Sequence, residues 1–194
     1  MAYYYKGAKI LAPLTIRSNE PIYEVDTVSL SKQRASQGAQ RWEVSFKAVT
    51  SADTEADMLV GTITNLTAST TMIMPQIPSV VAGNTAGISL VISSVASAGA
   101  STVTIVNDGI IKKGSFIKFS NHDKIYMVTE DVSSGTVNVP IYPSLRSAVA
   151  ITDTFQTGSY AVLSYYRNID NLTGLTFSDG LISNAGSISL TEAI

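Results

Sequence analysis

His122 is the single histidine of the chain and stands in "SNHDK", between Asn121 and Asp123 with Lys124 following. An imidazole beside a carboxylate and an amine is the raw material of general acid–base catalysis or of a metal ligand set. A metal centre needs several donors converging on one point, and neither a second histidine nor any cysteine exists here. Zinc chemistry of the H-E-x-x-H type, thiolate nucleophiles and disulfide frameworks are thereby excluded. A Ser-His-Asp triad would have to use His122, yet no G-x-S-x-G elbow occurs. The sequence places His122 in a turn between two strands, hydrogen-bonded to backbone.

Acidic residues offer two further patterns. Glu20, Glu24 and Asp26 lie together, and alternation puts Glu24 and Asp26 on one strand face. Paired carboxylates serve glycoside hydrolysis, but the same spacing describes a solvated strand face or the acidic wall of an annular assembly, which is the reading adopted. Asp53, Glu55 and Asp57 follow a D-x-E-x-D spacing like the start of a calcium loop. Glu55 replaces the usual Asp or Asn, and Met58 stands where that loop requires glycine for its sharp turn. Carboxylates in the first turn of a helix account for the three acids better. No phosphate-binding or dinucleotide-binding glycine pattern is present. The residues thus carry no catalytic, cofactor or metal site, and the chain reads as a non-enzyme.

The elements that hold these residues are mainly β. The 194 residues are 45% hydrophobic and only 14% charged, with abundant Ser, Thr and Val. That composition supports a buried core and favours strands over helices. A net charge of −2 argues against nucleic-acid binding, which needs a concentrated basic face. The low charge also favours self-assembly. The first residues lack a basic stretch leading into a long apolar one, so no secretory signal is expected. The least polar segment, "SVVAGNTAGISLVISSVASAGASTVTIV", falls short of the roughly 18 uninterrupted apolar residues of a membrane helix.

In "RWEVSFKAV", residues 41–49, Trp42, Val44, Phe46 and Ala48 alternate with polar residues, the mark of a half-buried strand. "IYEVDTVSL", residues 22–30, is also strand-like, and the polar "SKQRASQGAQ" between the two reads as a long hairpin loop joining them. "SADTEADMLVGTIT", residues 51–64, is the one short helix expected. Two prolines and a glycine close the first segment near Pro75 and Pro78, after which short strand-like runs recur between turn residues. The reading is a discontinuous β-core from 1–78 and 159–194, with an inserted small all-β domain at 79–158.

Two stretches resemble the bacteriophage tail hub or distal tail (baseplate ring) proteins. The first is "IRSNEPIYEVDTVSLSKQRASQGAQRWEVSFKAV", in which a basic-polar loop leads into a Gln-Arg-Trp strand at Gln40, Arg41 and Trp42. The second is "IIKKGSFIKFSNHDKIYMVTEDVSSGTVNVPIYPSLRSAV". It carries the family's pattern at Gly114, Phe119, His122, Lys124, Ile125, Tyr126, Val128, Gly135, Pro143, Leu145 and Arg146. Ser115 departs from the usual Asp, and the segment after Val49 lacks the aromatic and Arg-Gly ending.

The resemblance implies a tail-tube-like β-barrel or sandwich core with one short helix and an inserted small β-barrel. It implies a virion structural protein, made in the host cytoplasm, whose copies form a ring, commonly hexameric, around the tail channel at the baseplate or tail tip. Its partners would be further copies of itself and the adjacent tail tube and baseplate hub proteins. DNA would pass through without specific binding, and no membrane is involved. On that reading Lys32, Arg34 and Gln40 contact a neighbouring subunit or ring, and Glu24 and Asp26 line the lumen. The competing class is a carbohydrate-binding or adhesin-like β-module that uses Phe116, Phe119, Tyr126 and Tyr142 of the insert to hold sugars.

Overall fold

The computed structural model describes residues 4–5, 8–26, 32–36, 38–50, 69–75, 89–168, 176–179, 181–184 and 187–194. The structure is mainly β, as expected. The expected helix at 51–64 lies outside the described residues, and so do Asp53, Glu55 and Asp57.

The first strands are β1 (Tyr4–Tyr5), β2 (Ala8–Asn19), β3 (Ile22–Asp26), β4 (Lys32–Ser36), β5 (Arg41–Val49) and β6 (Thr70–Ile73). Then come β7 (Ser89–Ile92), β8 (Thr102–Asn107), β9 (Phe116–Phe119), β10 (Ile125–Val128), β11 (Gly135–Tyr142) and β12 (Thr154–Thr157). A single 3-10 turn at Gly158–Tyr160 leads to β13 (Val162–Arg167), β14 (Thr176–Ser178), β15 (Leu181–Asn184) and β16 (Ser187–Glu192). The chain divides into two compact units, one from Ser69–Tyr165 with Ala193–Ile194, the other from Ala2–Ala68 with Tyr166–Glu192.

In the second unit β1, β2, β5 and β16 lie side by side in that order, all antiparallel. The alternation of β5 is realised in full: Trp42, Val44, Phe46 and Ala48 are buried while Arg41 and Lys47 are exposed. Ile188 and Leu190 of β16 pair with Phe46 and Val44 and complete the same apolar layer. Tyr5 closes it with an edge contact to Phe46, ring centroids 5.1 Å apart. The Trp42 backbone N–H donates to Oε2 of the fully buried Glu192 at 3.0 Å, so this carboxylate serves the sheet. β2 carries a register shift between Leu11 and Thr15, where Pro13 has no N–H for the ladder.

Among the described residues, the expected pairing of 22–30 with 41–49 across a polar loop does not occur. β5 pairs with β2, and β3 pairs instead with β4, formed from the "KQRAS" that the sequence assigned to the loop. The opposite charges of β3 and β4 explain the register, with Glu24 opposite Arg34 and Asp26 opposite Lys32.

In the first unit β10, β11, β8, β7, β12 and β9 close into a barrel in that order. β8 shows why: Val103 and Ile105 are buried, while Thr102 and Val106 face outward. Leu90, Ile92, Phe119, Tyr126, Val139, Ile141 and Phe155 fill the interior with them. β9 and β10 break the alternation because neighbours such as Phe116 with Ile117, and Ile125 with Tyr126, are all buried. Those strands are covered on both faces.

Buried Asn107 ends β8 by donating Nδ2 to the carbonyls of Gly109 (2.7 Å) and Ser133 (3.0 Å), and its Oδ1 accepts the Gly109 N–H. The turn then enters β11 through Gly135, whose φ of +112° suits glycine and few other residues. β6 and β13 flank the barrel in the sequence and pair antiparallel, Ile73 with Val162 and Thr70 with Tyr165.

Candidate functional site

Two places in the fold gather the residues singled out in the sequence. The first is the β3–β4 ribbon. Strand alternation gives it two unlike faces. Tyr23 and Val25 lie opposite Ala35 and Gln33 on one face; Glu24 and Asp26 lie opposite Arg34 and Lys32 on the other. Glu24 accepts hydrogen bonds from both Lys32 Nζ and Arg34 Nε, the latter at 3.0 Å. All three side chains are more than a third exposed, so each pair is worth at most about 1 kcal/mol. Their effect is to fix register and to neutralise the charged face.

The ribbon therefore unites residues that the sequence assigned to two separate surfaces. Glu24 and Asp26 share a face with Lys32 and Arg34. Gln40, expected to contact a neighbouring subunit, stands apart from the ribbon, just before β5. It is buried, and its Nε2 donates to Ser18 Oγ at 2.9 Å, which anchors the chain where it enters β5.

The apolar face escaped the sequence reading. Tyr23 and Val25 are 64% and 62% exposed, so both large apolar side chains of that face are uncovered. The signal was present in the alternation of "IYEVD" set against "KQRAS", where E-x-D meets K-x-R with complementary sign at the same period.

The second place is the turn from β9 to β10 that carries His122. Its ring stacks on Phe119 at an interplanar angle of 30°, centroids 5.7 Å apart, and stands perpendicular to Tyr126 at 5.6 Å. Nδ1 is 2.6 Å from Asn121 Oδ1, and Nε2 is 2.7 Å from the Tyr126 hydroxyl. His122 thus bonds to side chains, not to backbone as the sequence predicted. Burial holds its pKa below the ordinary histidine value, against the pull of Asp153.

Of the charges acting on the ring, Lys118 and Asp123 pair with each other at 2.6 Å, and further along the barrel Lys112 pairs with Asp131 at 2.8 Å. The Lys112 side chain and the Lys113 backbone N–H hold the Asp131 carboxyl below its ordinary pKa. Among the described residues no group of three or more His, Asp or Glu side chains is placed to hold a metal ion. Of the aromatics proposed for sugar binding, Tyr142 is half-buried, while Phe119 and Tyr126 lie in the barrel core and Phe116 is buried on the other face of β9, all three at most 3% exposed. A stacking platform for sugars needs exposed ring faces, which those three do not offer.

Residues 78–164 match the family model described as distal tail protein pb9, B domain. No curated protein matches the chain. The match takes in β7 to β12, less than half of the chain, and is a likeness to one domain of a bacteriophage distal tail protein.

Proposed function

We propose that this chain is a non-enzymatic structural component of a tailed bacteriophage, forming a ring around the tail channel at the baseplate or tail tip and joining the tail tube to the hub. The observation that carries this is the match of the barrel segment to a distal tail domain. Two features of the second unit support assembly. The β3–β4 ribbon presents an uncovered apolar face, and β1 pairs with β2 only at Ala8 and Lys9. The rest of that edge of β2 has no partner strand among the described residues, and an open edge is a template for another chain.

In this reading 1–78 and 159–194 form the ring-building core and 79–158 an appended barrel. The ribbon docks on a neighbouring copy or ring through the face of Tyr23 and Val25, with Lys32 and Arg34 at the rim where that contact meets the charged face and Gln40 securing its base. Its charged face, with Glu24 and Asp26, borders the lumen, where internal neutralisation lets DNA pass without adhering. Neighbouring tail tube and hub proteins cap the ring on either side.

Light scattering of the purified protein, followed by negative-stain imaging, tests the assembly. A ring of about six copies with an open centre is expected, closed by one repeated interface. A single-copy mass in the presence of both tail neighbours would sink the reading. The lumen assignment has its own test. Glu24→Lys with Asp26→Lys turns the ribbon face wholly basic and is expected to lower plating efficiency at least tenfold by retaining DNA phosphates. Undiminished plating with normal particle yield would remove these residues from the channel.

A further inference from the structure

We infer that His122 is a proton-operated latch that holds the segment 146–148 against the turn from β9 to β10. The hydrogen bonds around it have only one consistent direction. Asn121 Nδ2 lies 2.8 Å from the Ala148 carbonyl, which can only accept, so Asn121 Oδ1 faces His122. Nδ1 must therefore carry the proton and donate to that oxygen. In the neutral ring Nε2 is then an acceptor, and the Tyr126 hydroxyl donates to it. The same hydroxyl oxygen accepts the Arg146 backbone N–H at 3.0 Å.

Both nitrogens of one imidazole thus reach the segment after β11 through a single intermediary, at Ala148 on one side and Arg146 on the other. The flanks of that segment are tied separately. Leu145 exchanges backbone bonds with Gly99 and Ala100, and Val149 exchanges them with Ala96. Between these fixed points, the His122 network holds the short bridge that carries Arg146 and Ala148.

A second proton on the ring has only Nε2 to occupy. There it confronts the hydroxyl that was donating to it, and Tyr126 must give up that bond while still accepting from Arg146. Tyr126 is fully buried, which makes rearrangement costly. The groups acting on the ring are Asp153 and Asp123, which favour its charge, and Lys118, Arg146 and burial, which oppose it. Phe119 and Tyr126 supply the burial. Acid therefore releases 146–148 while the ties at Leu145 and Val149 persist.

Hydrogen exchange of the full-length protein, read residue by residue and corrected for intrinsic rates, tests the latch between pH 7.5 and 5. The Arg146 amide is expected to lose protection by up to about tenfold per pH unit as the pH falls from the ordinary histidine pKa towards the lower pKa of the latched ring, and to level off below it, because only in that window does release take up a proton. Val149 is expected to keep its protection, which separates release of the bridge from unfolding of the barrel. His122→Gln removes the titration and keeps an acceptor for Tyr126, so the pH dependence at Arg146 should vanish. Tyr126→Phe should leave Arg146 unprotected at both pH values. Arg146 protection that is independent of pH in the parent, or equally pH-dependent in His122→Gln, overturns the latch. Loss of the pH dependence in Asp153→Asn with its retention in His122→Gln would do the same.

Discussion

Phe119→Ala is expected to lower the unfolding free energy of the barrel unit by about 3–5 kcal/mol. Phe119 is fully buried at the end of β9. Its ring meets Tyr126 at 5.4 Å and Phe155 at 5.7 Å, both edge-on, and lies against His122. Truncation removes the apolar transfer energy of the ring and leaves a void that a closed barrel cannot collapse into without breaking strand pairing. Because single domains are stable by only about 5–15 kcal/mol, the loss is a large share of the total. Phe119→Leu, which fills most of the volume, should cost about 1.5 kcal/mol or less. Urea unfolding followed by near-ultraviolet circular dichroism reads both. A midpoint for the alanine variant as high as that of the leucine variant would mean that Phe119 does not close the barrel core. The same truncation lets water reach His122, so its pKa, followed by NMR, should rise towards the ordinary histidine value.

In the ring proposed above, Tyr23→Ser combined with Val25→Ser is expected to release single copies. Neither side chain supports its own unit, since both are more than three-fifths exposed. Their burial in a neighbour would contribute about 1.5–3 kcal/mol each, and a closed ring repeats that contribution at every joint. A two-stranded ribbon standing alone is marginal in water, so covering its apolar face also stabilises the ribbon itself. Light scattering at a concentration where the parent is assembled is expected to give the single-copy mass, with an unchanged far-ultraviolet spectrum. A ring of undiminished mass from the double variant would exclude the apolar face as the joint and leave the open edge of β2 as the remaining surface.

What could be read from the sequence followed from how local each signal was. β5 declared itself because four apolar side chains alternate over nine residues with nothing to interrupt them. The barrel strands were legible as runs between turn residues. β9 and β10 were legible without their facing, since both faces of these two strands are buried and the alternation is erased. β2, the longest strand, passed unnoticed: Pro13 breaks its pattern and most of its side chains are exposed. The β3–β4 pairing was missed because polarity was taken for loop. Cross-strand charge pairing holds a strand as well as apolar packing does, but it shows only when two separated segments are compared. At the His122 site, the turn position was readable from neighbours. Its partners Arg146 and Ala148 belong to a distant segment that no local pattern connects to it.

The pairing of β6 with β13 has a bearing on how such a protein changes over time. The chain enters the barrel segment along one strand and leaves along its immediate antiparallel neighbour, with Ile73 opposite Val162 and the Met74 N–H bonded to the Ala161 carbonyl. Adjacent strands are about 4.8 Å apart, a gap that a tight turn of two residues bridges. Everything between the two strands can therefore be exchanged as a cassette. A recombination event that deletes it, or swaps in another domain with neighbouring ends, leaves the ladder of β6 and β13 intact.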